Sequence, residues 1–170
     1  MYTIGSSLIC MDHINFKKDI ELVKTLQIDY IHIDVMDGLA VPRYGIYPEI
    51  VRNISEFTDI NMDLHLMVTD VEFALSQFTN ISNIKYVSFH LDKNWENIAR
   101  ISDCIRKHNF RPVGILNLST HPESILELLE NNYFDGLMFM GIHPGVLKQD
   151  HRPDVVIKKI NKLSKNYDLK

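Results

Sequence analysis

The sequence predicts an α/β fold in which about six short strands alternate with amphipathic helices. Apolar runs typical of buried strands lie at residues 4–10, 28–33, 62–68, 86–90, 113–116 and 137–140. Equivalent points recur roughly every thirty residues, as at His32, His65 and His90, which is the length of one strand plus one helix. Right-handed crossovers would make such units parallel neighbours in one sheet.

Apolar residues at helical spacing separate these runs. The expected helices cover residues 16–26, 48–54, 71–78 and 94–108, with a final helix around residues 156–163. Asp70 is placed to cap the third helix, and Thr120 begins a Thr-His-Pro-Glu pattern that predicts a capping box.

Length and composition set limits on the class of protein. The 170 residues, 45% hydrophobic and 24% charged, predict one domain over residues 1–170. A net charge of −4 without a basic stripe argues against a nucleic-acid partner. The apolar runs are shorter than the roughly 18–20 residues of a membrane span, so we expect no membrane contact and a cytoplasmic location. Cys10 and Cys104 predict no disulfide framework, and we expect each to be a buried apolar residue.

The segment 32–38 (HIDVMDG) carries a histidine and two carboxylates at the end of an apolar run. Because side chains alternate along a strand, His32 and Asp34 point to the same side and can reach one cation. A hydrogen-bonded pair at a polar rim is the alternative interpretation. His65 and His90 occupy the same place in the next two strands, which favours one shared pocket mouth at the carboxyl ends of the strands.

Six such units are compatible with two architectures. One is a closed eight-unit barrel, which typically needs about 250 residues, so this chain would be roughly two units short of it. An open doubly wound sheet is the alternative, but residues 9–13 (ICMDH) follow the first strand where a glycine fingerprint would be expected.

The order of motifs along the whole chain resembles the ribulose-phosphate 3-epimerase family. The matching segments are 6–12 (SSLICMD), 32–38 with Val41 and Pro42, 63–68 (DLHLMV), 114–117 (GILN) with Thr120, and Met140 with Pro144, Gly145 and Gln149. Segments 8–12 and 65–69 (HLMVT) resemble most closely the D-allulose-6-phosphate 3-epimerase branch.

The resemblance implies a TIM (β/α)8-type ribulose-phosphate-binding barrel, of which this chain holds about six βα units. It also implies a metal-dependent epimerase that inverts C3 of a ketose phosphate through a cis-enediolate. The substrate pair would be D-ribulose 5-phosphate and D-xylulose 5-phosphate, or D-allulose 6-phosphate and D-fructose 6-phosphate. One divalent ion, zinc, iron, manganese or cobalt, would serve as cofactor.

The same resemblance implies roles for individual residues. His32, Asp34 and His65 would bind the metal, and Asp34 would also act as the catalytic acid and base. The substrate would contact Ser7, His65, Met36, Met67, Met140 and Gly145, with Gly145 near the phosphate.

The sequence departs from the family pattern near its end. Relatives place a second acid in a Val-Asp-Gly-Gly-like segment on the seventh strand, where this chain ends with residues 167–170, so we expect a truncated chain. Asp168 could stand in for that acid but is more typical of a frayed terminus. The loop 145–149 (GVLKQ) has lost glycines that would approach a phosphate, for which Lys148 could compensate.

An open barrel exposes strand edges, which predicts a homo-oligomer. It also leaves an alternative open, namely a non-catalytic barrel remnant that serves as a binding or oligomerising module.

Overall fold

The computed structural model describes residues 3–146 and 148–165. Six parallel strands form one sheet in sequence order. The strands are β1 (Gly5–Ser7), β2 (Tyr30–Met36), β3 (Asn61–Met67), β4 (Ile84–His90), β5 (Arg111–Leu116) and β6 (Gly136–Phe139). The sheet curls into a half-barrel, which confirms the predicted fold class.

Helices connect the strands. They are α1 (Phe16–Thr25), α2 (Pro48–Phe57), α3 (Val71–Ser76), α4 (Leu91–Asn94), α5 (Ile98–Lys107), α6 (Leu126–Glu130) and α7 (Pro153–Ser164). Short 3-10 turns occupy Leu8–Cys10, Trp95–Asn97 and Pro122–Ile125. The Asp70 carboxylate accepts the Phe73 N–H at 2.9 Å and so caps α3 as predicted. None of the helices in the described ranges is both long and apolar enough to cross a membrane.

The hydrophobic core lies between the outer face of the sheet and the helices. Ile31 and Ile33 of β2 are fully buried and belong to one apolar cluster with Ile20 of α1. Because side chains alternate along a strand, His32 and Asp34 face the inside of the half-barrel. The apolar alternation that builds the core therefore also aims the polar residues inward.

The register between β2 and β3 sets the polar pattern of the inner face. The two strands pair along their whole lengths, with His32 opposite Asp63 and Asp34 opposite His65. Two imidazoles and two carboxylates thus form one patch, in which each histidine lies beside an acid.

Two predicted strand boundaries were wrong. The first strand ends at Ser7, and residues 8–10 form a 3-10 turn, because Leu8 is buried in the core and its carbonyl accepts the Met11 N–H at 3.1 Å. The second strand covers residues 30–36 rather than 28–33, because its pairing with β3 continues to Met36 opposite Met67. The H-x-D pair therefore lies within the strand and not at its end.

Two predictions about helix starts were also wrong. The helix expected over residues 94–108 begins at Ile98, after a short α4 in which Asn94 donates to the His90 carbonyl at 2.8 Å. The capping box at Thr120 is absent from the described contacts, because the Thr120 hydroxyl accepts the Asn117 N–H at 3.1 Å. Thr120 thus holds the loop after β5 instead of starting a helix.

Candidate metal centre

Three side chains meet on the inner face of β2 and β3. His32 Nε2 lies 3.4 Å from Asp34 Oδ1, and His65 Nδ1 lies 3.2 Å from the same oxygen. The ligand-type atoms of the three residues all lie within 4.8 Å of one another. The structure thus brings together the residues that the sequence proposes as ligands, and their role as ligands stays a prediction.

The donor set fits the divalent ion that the family resemblance implies. Two ligands at the tetrahedral angle are about 3.4 Å apart when each is about 2.1 Å from zinc. The two nitrogen-to-oxygen distances, 3.4 and 3.2 Å, match that separation. Two imidazoles and a carboxylate also suit other first-row divalent metals.

Hydrogen bonds orient the first of these histidines and the carboxylate. His32 Nδ1 donates to Asp63 Oδ2 at 2.7 Å, which leaves the Nε2 atom directed at Asp34. Histidines that bind metals usually donate their other N–H to such a carboxylate or to a carbonyl. The Ser7 hydroxyl donates to Asp34 Oδ2 at 2.9 Å, so that Oδ1 is the oxygen between the imidazoles.

The charges of His32 and Asp34 are coupled. Burial would lower the pKa of His32, but the adjacent Asp34 and Asp63 carboxylates raise that pKa to about 10. Burial would raise the pKa of Asp34, but hydrogen bonds and charge from His32 and His65 hold it well below its usual range. Without a metal ion, His32 therefore keeps a proton beside Asp34, and a bound cation must displace that proton.

His90 does not lie where the sequence analysis placed it. The sequence predicts His90 at a pocket mouth shared with the other two histidines, but His90 lies behind His65, with the two Nε2 atoms 2.9 Å apart. It is 5% exposed and is not part of the described cavity lining. Burial, followed by the charge of His65, lowers the pKa of His90 to about 4, so its ring is neutral at pH 7.

A cavity of about 350 Å³ opens in front of the three side chains. All of the site residues named from the sequence line it: Ser7, His32, Asp34, Met36, His65, Met67, Met140 and Gly145. Met36 and Met67 also pack against Val41 in a small apolar cluster, at 8% and 4% exposure. These two methionines therefore both fill the interior and border the cavity.

The loop after β6 closes one side of the cavity. Gly145 has a φ of +70°, and a Cβ atom built on it would lie 2.6 Å from Val41 Cβ, so glycine is required there. The Gln149 amide accepts the His143 N–H at 2.7 Å and donates to the Val146 carbonyl at 2.8 Å. Gln149 thus fixes the turn that carries Gly145.

A sequence profile of the Ribulose-phosphate 3 epimerase family matches residues 3–170. The chain belongs to this family. A ribulose-phosphate 3-epimerase from Helicobacter pylori is 32% identical over 167 residues, which cover 97% of this chain and 74% of that protein. A ribulose-phosphate 3-epimerase from Methanocaldococcus jannaschii is 28% identical over 163 residues, which cover 96% of this chain and 67% of that protein.

Two solved structures share the fold of this epimerase-family chain at low sequence identity. A mutant tryptophan synthase alpha-subunit from Pyrococcus furiosus superposes with a TM-score of 0.60 at 9% identity, covering 94% of this chain and 73% of its own. A chitinase from Chromobacterium violaceum gives 0.53 at 6% identity, covering 97% of this chain and 65% of its own. At these identities the likeness shows the fold alone.

One positively charged side chain in the cavity of this epimerase-family chain was missed from the sequence. Arg43, in the loop after β2, lines the cavity and is half-buried, and it is the only lysine or arginine in the described lining. Its position directly after Val41 and Pro42, which belong to the matched motif, was the available signal. Lys148, the cation that the sequence analysis considered, is exposed and is not in the described lining.

Asp63 was also missed as a supporting residue of the site. Asp63 precedes His65 by two positions, so a D-x-H pattern opposite H-x-D was the signal for a supporting acid.

The prediction that Cys10 is buried was wrong, because Cys10 ends the turn after β1, is exposed and lines the cavity. Cys104 is half-buried, and burial raises the pKa of its thiol.

The second acid that the family resemblance implies has no counterpart among the described residues that line this cavity. Within the described lining, Asp34 is the only carboxylate. Asp168, the candidate stand-in, lies outside the described residues, as does Leu147 of the loop after β6.

Proposed function

We propose that this chain is a metal-dependent epimerase that inverts C3 of a phosphorylated ketose. The convergence of His32, Asp34 and His65 in front of a cavity, in a member of the ribulose-phosphate 3-epimerase family, carries the proposal. The substrate pair is D-ribulose 5-phosphate and D-xylulose 5-phosphate, or D-allulose 6-phosphate and D-fructose 6-phosphate. Segments 8–12 and 65–69 favour the second pair, because they resemble the D-allulose-6-phosphate 3-epimerase branch.

His32, Asp34 and His65 would hold one zinc, iron, manganese or cobalt ion. Such a cation supplies stabilisation of the negative charge that develops on the substrate oxygen when a neighbouring carbon is deprotonated. The chain itself prepares the site for it, since Asp63 and Ser7 orient His32 and Asp34 before any ion arrives.

Asp34 would take the proton from C3. The C3–H electron pair then delocalises toward the carbonyl oxygen and leaves a planar cis-enediolate. The same carboxylate can return the proton to the face from which it came, which regenerates the substrate. Inversion needs a proton from the opposite face, which a second acid or water must supply.

The remaining cavity residues would position the sugar. Met36, Met67 and Met140 offer apolar thioethers that keep water from the reacting carbons without providing a strong proton donor. Arg43 and the backbone of the Gly145 turn would bind the phosphate, since a guanidinium suits bidentate phosphate contacts. This assigns an anion contact to a residue that the family motif alone does not name.

A second candidate function is a non-catalytic module that binds a sugar phosphate or another copy of the chain. The single carboxylate in the described lining favours it, because inversion requires proton transfer on two faces. A sugar-phosphate-binding module would use the same cavity as the epimerase, and a module that binds another copy of the chain would not; in neither does the C3–H bond break.

Hydrogen exchange in deuterated water distinguishes the two. Metal-loaded protein is incubated with each ketose phosphate, and loss of the C3 proton signal and appearance of the epimer are followed by NMR. The epimerase proposal predicts exchange at C3, which His65→Ala abolishes and His121→Ala, at an exposed histidine, leaves unchanged. Ligand binding without exchange for both substrates would favour the module and overturn the epimerase proposal.

A further inference from the structure

The loop formed by residues 37–46, between β2 and α2, folds back over the carboxyl end of β2. Near the end of this 37–46 loop, Gly45 donates its backbone N–H to the Met36 carbonyl at 3.1 Å. Ile46 donates its N–H to the Asp34 carbonyl at 2.9 Å. Because the loop also begins directly after β2, both of its ends are fixed on the same strand.

Asp37, the second carboxylate of segment 32–38, holds the first turn of the 37–46 loop. Its Oδ1 atom accepts the backbone N–H groups of Leu39 and Ala40, each at 2.8 Å. Its Oδ2 atom accepts the N–H of Thr69, in the loop after β3, at 2.7 Å. Burial would raise the pKa of Asp37, but these three hydrogen bonds lower it, so the carboxylate is ionised at neutral pH. One side chain thus fixes the turn and ties it to the loop of the neighbouring strand.

The 37–46 loop brings two side chains to the cavity in front of the candidate metal centre. Val41 is 7% exposed and packs against Met36 and Met67, and Gly145 approaches it from the other side of the cavity mouth. Arg43 lines the cavity, is half-buried and takes part in none of the ion pairs between described residues. A guanidinium without a carboxylate partner is free to bind an anion that enters the cavity.

We propose that Asp37 is a positioning residue that holds the 37–46 loop so that Arg43 meets the phosphate group of the sugar phosphate. This inference rests on the proposed function, which gives Arg43 the phosphate contact. A surface loop that loses its internal hydrogen bonds gains conformations, because the entropy of the chain favours them. Without Asp37 the guanidinium would meet the phosphate in a fraction of those conformations, and the apparent affinity falls by that fraction.

The two carboxylates of segment 32–38 therefore have separate tasks. Asp34 faces the imidazoles inside the half-barrel and lines the cavity. Asp37 has both oxygens occupied by backbone N–H groups and is not in the described lining of that cavity. Loss of the Asp37 carboxylate is thus expected to change ligand affinity without removing a group that touches the sugar.

The test titrates the full chain with inorganic phosphate, with no metal added, and obtains the dissociation constant from backbone amide shifts in NMR spectra. Arg43→Met is expected to weaken phosphate binding at least about 10-fold, because it removes a charged hydrogen-bond donor. Asp37→Ala is expected to weaken it by a similar factor. The double variant should bind phosphate no more weakly than Arg43→Met, since the loop acts through the guanidinium alone.

Two further variants separate positioning from general damage. Asp70→Ala removes a neighbouring carboxylate that caps α3 through the Phe73 N–H, so it should lower stability and leave phosphate affinity unchanged. Asp37→Asn keeps one side-chain oxygen for the first turn but sets an NH₂ group against the Thr69 N–H. Its phosphate affinity should therefore fall between those of the wild type and Asp37→Ala.

Wild-type phosphate affinity in Asp37→Ala would overturn the inference, and so would additive losses in the double variant. A wild type whose phosphate affinity does not change in Arg43→Met would overturn it as well. Exchange of the substrate C3 hydrogen in the wild type, measured with metal added, tests the proposed function separately. Coupled losses of phosphate affinity in a protein without C3 exchange would confirm Asp37 as a positioning residue, and the epimerase proposal alone would fail.

Discussion

The two ends of the half-barrel handle charge in opposite ways. At the amino ends of the strands, Asp135 accepts hydrogen bonds from Arg106 at 2.8 Å and from Arg111 at 3.1 Å, so each oxygen of this carboxylate has a donor. Toward the carboxyl ends, Asp34 faces two imidazole nitrogens within 3.4 Å. Matched charges stabilise the fold, whereas acceptors gathered around one point attract a proton or a cation.

The larger cavity does not lie at the end that holds the candidate metal centre. The cavity toward the amino ends measures about 590 Å³, against about 350 Å³ in front of the three ligand candidates. Tyr30, Tyr86 and Asn61 are among the residues that line the larger one, which lies inside the open half-barrel. The arrangement of donors and acceptors, and not cavity volume, is the reason for proposing the carboxyl end as the functional end.

The largest expected effect separates the two ends directly. We expect Asp34→Asn to slow exchange of the substrate C3 hydrogen about 10²–10⁴-fold, because the variant lacks the carboxylate that takes the proton. Asp135→Asn serves as the matched control, since it makes the same change at the amino end. NMR in deuterated water measures both rates, and equal rates in the two variants would refute the role of Asp34.

The ion pair of His32 and Asp34 predicts that the stability of the metal-free protein depends on pH. The pKa of His32 is raised to about 10, so its contribution to stability is fully present below about pH 6.5 and is lost as pH rises through 10. The pKa of Asp34 is lowered, so its contribution is present above about pH 3.9 and is lost in acid. Urea unfolding between about pH 6.5 and 10 should thus show a steeper loss of stability in the wild type than in His32→Gln.

A control variant and a zinc-loaded sample make that measurement more specific. His121→Gln, at an exposed histidine, should follow the wild-type curve. Zinc-loaded protein should lose less stability over the same range, because a bound cation replaces the proton of His32. Identical slopes for wild type and His32→Gln would show that the ion pair does not form.

A backbone constraint at the carboxyl end gives the next largest effect. Gly145→Ala forces a side chain into a positive φ and against Val41, so we expect a loss of about 1–3 kcal/mol in the free energy of unfolding. We also expect a change in the KM for the substrate, smaller than the change in stability, since Gly145 lines the cavity. The measurement is urea unfolding together with steady-state kinetics.

Gly136→Ala is the matched control for that glycine. An added Cβ there meets only Val113 Cγ2, at an ordinary 3.7 Å, so stability should change by less than about 1 kcal/mol. A Gly145→Ala variant as stable as Gly136→Ala would contradict the close contact with Val41.

The smallest effect is expected at the amino end. Asp135→Asn weakens two partly exposed ion pairs, each worth less than about 1 kcal/mol, and the loss should shrink in high salt. Unfolding at low and high salt measures it. A large loss that salt does not change would mean that this network contributes to the core and not to a solvated rim.

The sequence predicted the part of the site that depends on period and order. Alternation put His32 and Asp34 on one face, and similar spacing along the chain brought His65 to them. It could not predict contacts that depend on side-chain reach between strands. His90 lies behind His65 and not at the cavity mouth, because its ring meets Asn117, the residue directly after β5.

The position of Arg43 and the ends of β1 and β2 also depend on tertiary contacts. Arg43 reaches the cavity from a loop whose path no periodic pattern specifies. The end of β2 depends on pairing with β3 as far as Met67, and the end of β1 depends on burial of Leu8. Local sequence contains neither of these tertiary contacts.

The central claim is that His32, Asp34 and His65 hold one cation together, and zinc loading followed by elemental analysis and X-ray absorption tests it most directly. We predict one zinc per chain, with nitrogen and oxygen neighbours at about 2.0–2.2 Å, and loss of that zinc in His65→Ala but not in His121→Ala. Zinc retained at full stoichiometry in His65→Ala, or none bound by the wild type, would contradict the account.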